Sequence, residues 1–206
     1  MTHQNKLGFI DFAPILGIVS FIGLYVFSST LYPGGSQADL NSEGFNWIHN
    51  YWCNLMNEKA MNGQWNPARP YSVMGMVTLC VSLMIFFIQF ANTFSKNKLW
   101  RQLIKVNGVL SMTFGILIST KHHDVMTMIS SVFGLIVVIG IIREIYQSEL
   151  SFYKISGVLC ILLLGVNNYI YYSQHHIQTL PLIQKITFVI IIIWIVGLNY
   201  ELIKRK

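Results

Sequence analysis

Residues 125–145 read VMTMISSVFGLIVVIGIIREI, an apolar run whose charged residues, Arg143 and Glu144, come at its end. A helical run of this length is enough to cross the hydrocarbon core of a bilayer. The chain has six such runs, at about 9–31, 71–94, 103–120, 125–145, 152–172 and 179–203. Their apolar residues lie on all sides, and they do not show the short alternating pattern of barrel strands. The sequence therefore predicts an all-α integral membrane bundle of six transmembrane helices, forming a single domain over residues 1–206.

The composition of the whole chain also favours a lipid environment. Of its 206 residues, 53% are hydrophobic and 11% are charged, and the mean hydropathy is +0.52, whereas soluble domains carry about 25% charged residues. The net charge of +6 is spread between the spans, which excludes a nucleic-acid partner and leaves the lipid bilayer as the predicted one. Cys53, Cys80 and Cys160 have no paired spacing, so no disulfide framework is expected. The first apolar run is too long for a signal peptide, and no cleavage motif follows it.

The positions of the basic residues predict the orientation. One side of the bundle has most of them: Lys6, Lys96, Lys98, Arg101, Lys105, Arg143, Lys154, Lys204, Arg205 and Lys206. The long first loop, residues 32–70, has few: Lys59 and Arg69, against Asp39, Glu43 and Glu58. Basic loops stay in the cytoplasm, so both termini are predicted to be cytoplasmic and loop 32–70 external. Lys185, at a span end on the external side, is expected to extend to the membrane interface.

The long loop itself has two parts. Pro33, Gly34 and Gly35 end the first helix in a turn. The following segment, FNWIHNYWCNLMNEKAMNG at 45–63, has helical periodicity, with an apolar side and an asparagine-rich side. Trp and Tyr favour the membrane surface. We therefore expect an amphipathic interfacial helix here, with the loop as a lid over the mouth of the bundle.

The polar side of this expected helix holds candidate ligand-binding residues. His49 and Cys53 are four residues apart, a spacing that lets two helical side chains share one metal ion. Asn50 and Asn54 lie on the same stripe and could orient them. The alternative is that these asparagines cap helix ends and hydrogen-bond to neighbouring loops.

Three short motifs in the loop carry a family resemblance. YPGGS at 32–36 is followed by N-x-x-C-N-L at 50–55 and then by NGQWNP at 62–67, directly before the next span. This order resembles the first outer loop of a family of six-span prokaryotic membrane proteins without an assigned activity, domain-of-unknown-function family 998. That family typically shows YPGG, then N-x-x-S-D-L-G, then NG-x-x-N. The resemblance implies the six-span fold. Cys53-Asn54 stands where the family has Ser-Asp, so an amide replaces a carboxylate, although Cys53 could still bind a metal.

Five histidines and one aspartate are all predicted to be external: His49, His122, His123, Asp124, His175 and His176. The histidines are candidate metal ligands, with zinc as the possible cofactor. In that case His122, His123 and Asp124 are the candidate catalytic groups, acting on a zinc-bound water. The alternative is that the histidines simply face water at helix ends, and that Asp124 complements a helix dipole.

These observations leave three functions open. The first is a membrane protein of the prokaryotic cytoplasmic (inner) membrane with a small ligand or metal pocket on its outer face. The second is a membrane-embedded hydrolase of a lipid-like substrate. It rests on analogy with hydrolases that gather histidines and an aspartate around zinc, although no H-x-x-x-H element is present. The third is a small-solute transporter or a structural or sensor protein. The sequence leaves soluble partners and the oligomeric state open.

Overall fold

The computed structural model describes residues 8–205, so His3, Lys6 and Lys206, all predicted to be cytoplasmic, lie outside the described residues. Within this range the chain is all-helical and has no β-strand. Six α-helices make up the bundle: α1 (Phe9–Thr30), α2 (Arg69–Phe94), α3 (Lys98–Leu117), α4 (His123–Tyr146), α5 (Ser151–Ser173) and α6 (Leu180–Lys204). Two 3₁₀ helices, Trp52–Met56 and Ile177–Thr179, lie in the connections. The predicted all-α class is confirmed.

Five of the described helices are long and apolar enough to cross a membrane, namely α1, α2, α4, α5 and the segment Ile177–Lys204 that contains α6. The exception is α3, because Lys98, Arg101 and Lys105 lie near its N-terminal end. The bundle therefore has the character of a multi-pass membrane protein, and α3 as a sixth span stays a prediction.

The helices pack in a closed order. Helices that follow each other in the chain pack together, and α6 also returns to contact α1 and α2. Close approach of α1 and α2 depends on Gly17, where an added Cβ would lie 2.5 Å from the Ser82 Cβ. Between α5 and α6, the Asn167 Nδ2 donates to the Thr187 Oγ1 at 2.7 Å. Such hydrogen bonds join helices where the surroundings are apolar.

The outer surface of the bundle is rich in exposed apolar side chains. They include Phe9, Val19, Phe152, Ile155 and Ile193, each more than half exposed. A soluble monomer rarely leaves so much apolar surface in contact with water. The surface is that of a protein surrounded by lipid.

The connection between α1 and α2, residues 31–68, is called here the long loop. The expected amphipathic helix is not present as one element, because the chain forms turns over residues 47–50 and a 3₁₀ helix at Trp52–Met56. The reason is that asparagine side chains compete with helical carbonyls for the backbone N–H groups. The Asn46 Oδ1 accepts from the backbone N–H groups of Ile48 and His49, and the Asn50 Oδ1 accepts from that of Asn46. Asparagine side chains that bind backbone groups in this way replace helical hydrogen bonds.

Candidate functional site

The three loop motifs meet where the chain turns after α1. The carbonyl of Gly35 accepts from the Asn50 Nδ2 at 2.8 Å, and that of Gly34 accepts from the Asn62 backbone N–H at 3.2 Å. Gly34 and Gly35 have φ values of 145° and 81°, which residues other than glycine rarely adopt. A Cβ on Gly35 would also lie 2.4 Å from the Asn62 nitrogen. The two glycines therefore let the separate motifs come into contact.

Asn66 holds the end of the long loop. Its Nδ2 donates to the carbonyls of Asn54, Leu55 and Asn57 at 3.3, 3.1 and 2.9 Å, and its Oδ1 accepts from the Ala68 N–H at 3.1 Å. The side chain is buried. One asparagine therefore supplies the carbonyls of the 3₁₀ helix with a donor at the point where α2 begins.

Trp52 attaches the 3₁₀ helix to the bundle through aromatic contacts. Its ring centroid lies 5.6 Å from those of Phe21 and Tyr25 on α1 and 4.7 Å from that of Phe188 on α6. Pairs in this distance range stabilise beyond simple burial, by about 0.5–1.5 kcal/mol each. The long loop is thus an ordered cover on the helix ends.

Lys185 on α6 is a charged residue that bonds to the long loop. It lies in α6, is only 8% exposed, and donates through its Nζ to the backbone carbonyl of Asn50 and, at 3.0 Å, to that of Pro181. The ring of Phe45 lies 5.9 Å from the same Nζ. Within residues 8–205, Lys185 forms no ion pair with a carboxylate. The expectation that Lys185 extends to the interface is therefore wrong, because the long loop covers it and supplies its acceptors.

Beneath the long loop lies a cavity of about 170 Å³, called here the loop cavity. It is formed by the loop and by parts of four helices or their ends. Its walls are Trp52, Cys53, Met56, Met76, Ile118, His123, Thr127, Gln184, Lys185 and Phe188. The walls are apolar except for a few polar groups, which is the usual character of a small-ligand site.

The pKa of the Cys53 thiol reflects the charges around the loop cavity. Burial raises the pKa of its thiol from 9.0 to about 11, the Lys185 charge opposes this rise, and the Asp124 carboxylate adds to it. At neutral pH the thiol is therefore protonated and is a poor nucleophile. Both charges act at the cavity, the cation from inside its wall and the anion from an exposed position.

The structure brings some of the predicted site residues together and leaves others apart. Cys53 and His123 line the loop cavity, and the His123 Nδ1 lies 3.0 Å from the Asp124 Oδ1. Asn50 and Asn54 are buried within the loop rather than displayed on a helix face. His49 is half-buried, with a backbone N–H bonded to Asn46. The remaining histidines are exposed: His122, His175 and His176.

No group of three or more His, Cys, Asp or Glu side chains in the described part of the chain is placed so that it could hold a metal ion. Zinc at His49, His122, His123, His175 and His176 stays a prediction, and the arrangement of these side chains does not add support to it. The loop cavity, with its lysine, carries the functional argument instead.

A larger groove of about 380 Å³ lies between α4 and α5, lined by Tyr146, Ile155, Val158, Leu159 and Leu162. Its lining has one hydroxyl and no charge. It therefore offers contact to hydrocarbon but no means of recognising a particular ligand.

Reasoning from the sequence missed four polar groups of the loop cavity: the Lys185 ammonium, the Trp52 indole, the Thr127 hydroxyl and the Gln184 amide. The available signal for Lys185 was its position in the apolar run LPLIQKITFVIIIIW at 180–194, where a charge inside a span marks a functional candidate by default. No comparable signal distinguishes Trp52 or Thr127 from interfacial or packing residues.

Comparisons of the chain with protein-family models, with curated proteins and with solved structures find no match. The family resemblance of the long loop therefore stays a prediction, and the case for function depends on the geometry of the loop cavity.

Proposed function

We propose that this chain is a six-span protein of the prokaryotic cytoplasmic membrane that binds a small ligand in the loop cavity, on the outer face. The observation that carries the proposal is a cavity walled in part by the long loop, with a buried lysine in its wall that has no carboxylate partner among the described residues. A buried charge is expensive unless something compensates it, so such an arrangement is typical of a site rather than of plain packing.

The sixth span in this proposal is α3. It has 20 residues, which at 1.5 Å per residue gives about 30 Å, the thickness of the hydrocarbon core. It packs between α2 and α4. Its basic residues lie at one end, where long side chains can extend to the headgroups.

Orientation and family membership are part of the same proposal. Basic residues cluster at the helix ends opposite the long loop, which supports cytoplasmic termini and an external loop 32–70. The hydrogen bonds that join YPGGS to Asn50 and Asn62 give the resembling motifs a common structural role. This supports a relation to domain-of-unknown-function family 998 through the architecture of the loop.

The experiment compares the wild type with Ile118→Trp, which fills the loop cavity, in lipid nanodiscs. Leu117→Trp is the matched control, since Leu117 is 40% exposed and does not line the cavity. The probes are four compounds with four carbon atoms each that differ in their polar group: butyrate, butylamine, butyramide and butanol. We expect at least one of them to raise the unfolding temperature of the wild type and of Leu117→Trp but not of Ile118→Trp, because a ligand stabilises the state that binds it. The same response from all three proteins to every compound would contradict the proposal.

The hydrolase alternative is favoured by the hydrogen bond between His123, which lines the cavity, and the exposed Asp124, because such a bond orients an imidazole as a general base would need. The raised pKa of Cys53 argues against a thiol nucleophile, so water would have to be the attacking group. Release of a product from a lipid ester by the wild type, and its loss in His123→Gln, would establish this function. Counterflow uptake in liposomes would instead identify a transporter.

A further inference from the structure

We propose that the ligand of the loop cavity is a short-chain carboxylate, held by Lys185, Trp52 and Thr127. This proposal rests on the proposed function, and it names the chemical class that the cavity selects.

The first argument is charge. An ammonium group has three hydrogens to donate, and Lys185 donates hydrogen bonds to two neutral carbonyls. Two arginines near helix ends have a carboxylate beside them: Arg143 has Glu144 at 2.5 Å and Arg69 has Glu58 at 3.2 Å. Lys185 is the more deeply buried cation, and a bound anion would supply its missing partner.

The second argument is the supply of hydrogen-bond donors. The Trp52 Nε1 and the Thr127 Oγ1 are both buried and have no hydrogen-bond partner within residues 8–205, and both residues line the cavity. The indole N–H can only donate, so it requires an acceptor. Thr127 also differs from Thr78 and Thr113, whose hydroxyls donate to the carbonyl four residues earlier at 2.8 Å. The Thr127 hydroxyl therefore lacks this local acceptor, on a residue that lines the cavity.

The third argument is size and polarity. The cavity of about 170 Å³ falls well below the roughly 300–1,000 Å³ of sites for drug-sized ligands, and it corresponds to roughly six water volumes. Met56, Met76, Ile118 and Phe188 supply the apolar part of the wall. A carboxylate with a chain of two to four carbons fits both the cavity volume and a wall that is polar in one part and apolar in the other.

The charge of the ligand is limited by what surrounds Lys185. Asp124 acts on the same cavity, but its side chain is 85% exposed and bonded to His123. The Lys185 ammonium can compensate one negative charge on a ligand, whereas a second charge would meet only the repulsion of Asp124. One buried ammonium with one distant carboxylate selects a monovalent anion over a divalent phosphate.

The test measures binding of butyrate to the full chain in nanodiscs of uncharged lipid at neutral pH, with butyramide and butylamine as isosteric controls. We expect butyrate to bind the wild type, and Lys185→Met to weaken it at least tenfold. Lys121→Met is the matched control, an exposed lysine at the same end of the bundle, and should bind like the wild type. Thr127→Val, which keeps the shape of the side chain, and Trp52→Phe, which keeps an aromatic ring without the N–H, should each weaken binding roughly threefold to tenfold. They serve as the test if Lys185→Met does not fold.

The possible results separate the two proposals. Butyramide or butylamine binding as well as butyrate, with loss in Ile118→Trp, would overturn the carboxylate and leave the ligand cavity standing. Binding of hexadecanoate delivered in the bilayer, without binding of butyrate, would overturn the short chain and assign the anion to lipid. Binding of butyrate unchanged in Lys185→Met and Trp52→Phe would overturn the assigned donors. If no compound distinguishes the wild type from Ile118→Trp, both proposals fail.

Discussion

At the residue scale, Asn50 connects the separate parts of the long loop. Its side chain is fully buried, donates to the Gly35 carbonyl and accepts from the Asn46 N–H, both at 2.8 Å, while its own carbonyl accepts from Lys185. One residue therefore joins the turn after α1, the middle of the loop and α6. Polar groups are buried at little cost when each of their atoms has a partner in this way.

Replacement of Asn50 by alanine should lower the free energy of unfolding by about 1–3 kcal/mol, because it leaves a buried carbonyl and a buried N–H without partners. The matched control is Asn57→Ala, since the Asn57 side chain is exposed, and it should change stability by no more than about 0.5 kcal/mol. Denaturant titration in mixed micelles measures both. Equal losses in the two variants would contradict the assigned role of Asn50.

The reactivity of Cys53 should respond in opposite directions to its two charged neighbours. The Lys185 charge lowers the Cys53 pKa and the Asp124 charge raises it, so Lys185→Met should slow alkylation and Asp124→Asn should accelerate it at the same pH. In the wild type the rate should rise about tenfold per pH unit up to a pKa of about 11. Alkylation kinetics in a background without Cys80 and Cys160 provide the measurement. A change in the same direction in both variants would show that these charges do not control the thiol.

The folded-state pKa of Cys53 also has a consequence for stability. Because it is raised from 9.0 to about 11, the folded protein holds the thiol proton more tightly than the unfolded chain. The corresponding stability is fully present below pH 9 and is lost as the pH rises toward 11.

At the scale of elements, the sequence predicted the helices well and the long loop in part. Uninterrupted apolar runs require helices in lipid, so each predicted span has a helix with ends within a few residues, apart from α3, which begins at Lys98 rather than 103. The helical periodicity of residues 45–59 placed the apolar side chains on one side but did not predict the conformation of the backbone. That conformation depends on the contacts of Asn50 with Gly35 and of Asn66 with Asn54, which are distant in sequence. Local periodicity carries no information about such contacts.

The packing of α1 on α2 provides a test at this scale. A Cβ on Gly17 would lie 1.5 Å from the Ser82 Oγ and 2.5 Å from its Cβ, so Gly17→Ala should destabilise the protein by about 1–3 kcal/mol through overpacking. Gly23→Ala on the same helix meets nothing within 4 Å and should be neutral or stabilising by up to about 1 kcal/mol. Thermal unfolding of both variants gives the comparison. Adding Ser82→Gly should restore Gly17→Ala, and its failure to do so would place the strain elsewhere.

At the scale of the whole molecule, the closed order of the helices depends on contacts between the two ends of the chain. Opposite the long loop, the Asn199 Nδ2 on α6 donates to the Asp11 carbonyl on α1 at 3.2 Å, and the Gln89 Nε2 on α2 donates to that of Ile10 at 2.8 Å. Composition predicted the membrane class of the molecule. The loop cavity could not be predicted, because its walls come from the loop and from helices that are adjacent only after folding.

The number of spans gives the prediction for the whole molecule. If α3 crosses the membrane, both termini lie on the same side, whereas five crossings would place them on opposite sides. We expect reporters fused before residue 1 and after residue 206 to be active only in the cytoplasm. A cysteine introduced at the exposed Trp65 should be labelled from outside the cell by an impermeant reagent. Termini found on opposite sides would remove α3 from the set of spans.

The hydrogen bond from Lys185 to Asn50 also sets an order of events during biosynthesis. The two residues are 135 positions apart, so at roughly 5–20 residues per second the ribosome needs roughly 7–27 s to pass from one to the other. Through most of that interval the long loop is already made but has no cationic anchor. The long loop, made early, therefore gains its contact with Lys185 only when α6 has been made. A nascent chain released before α6 would leave this loop open to proteases.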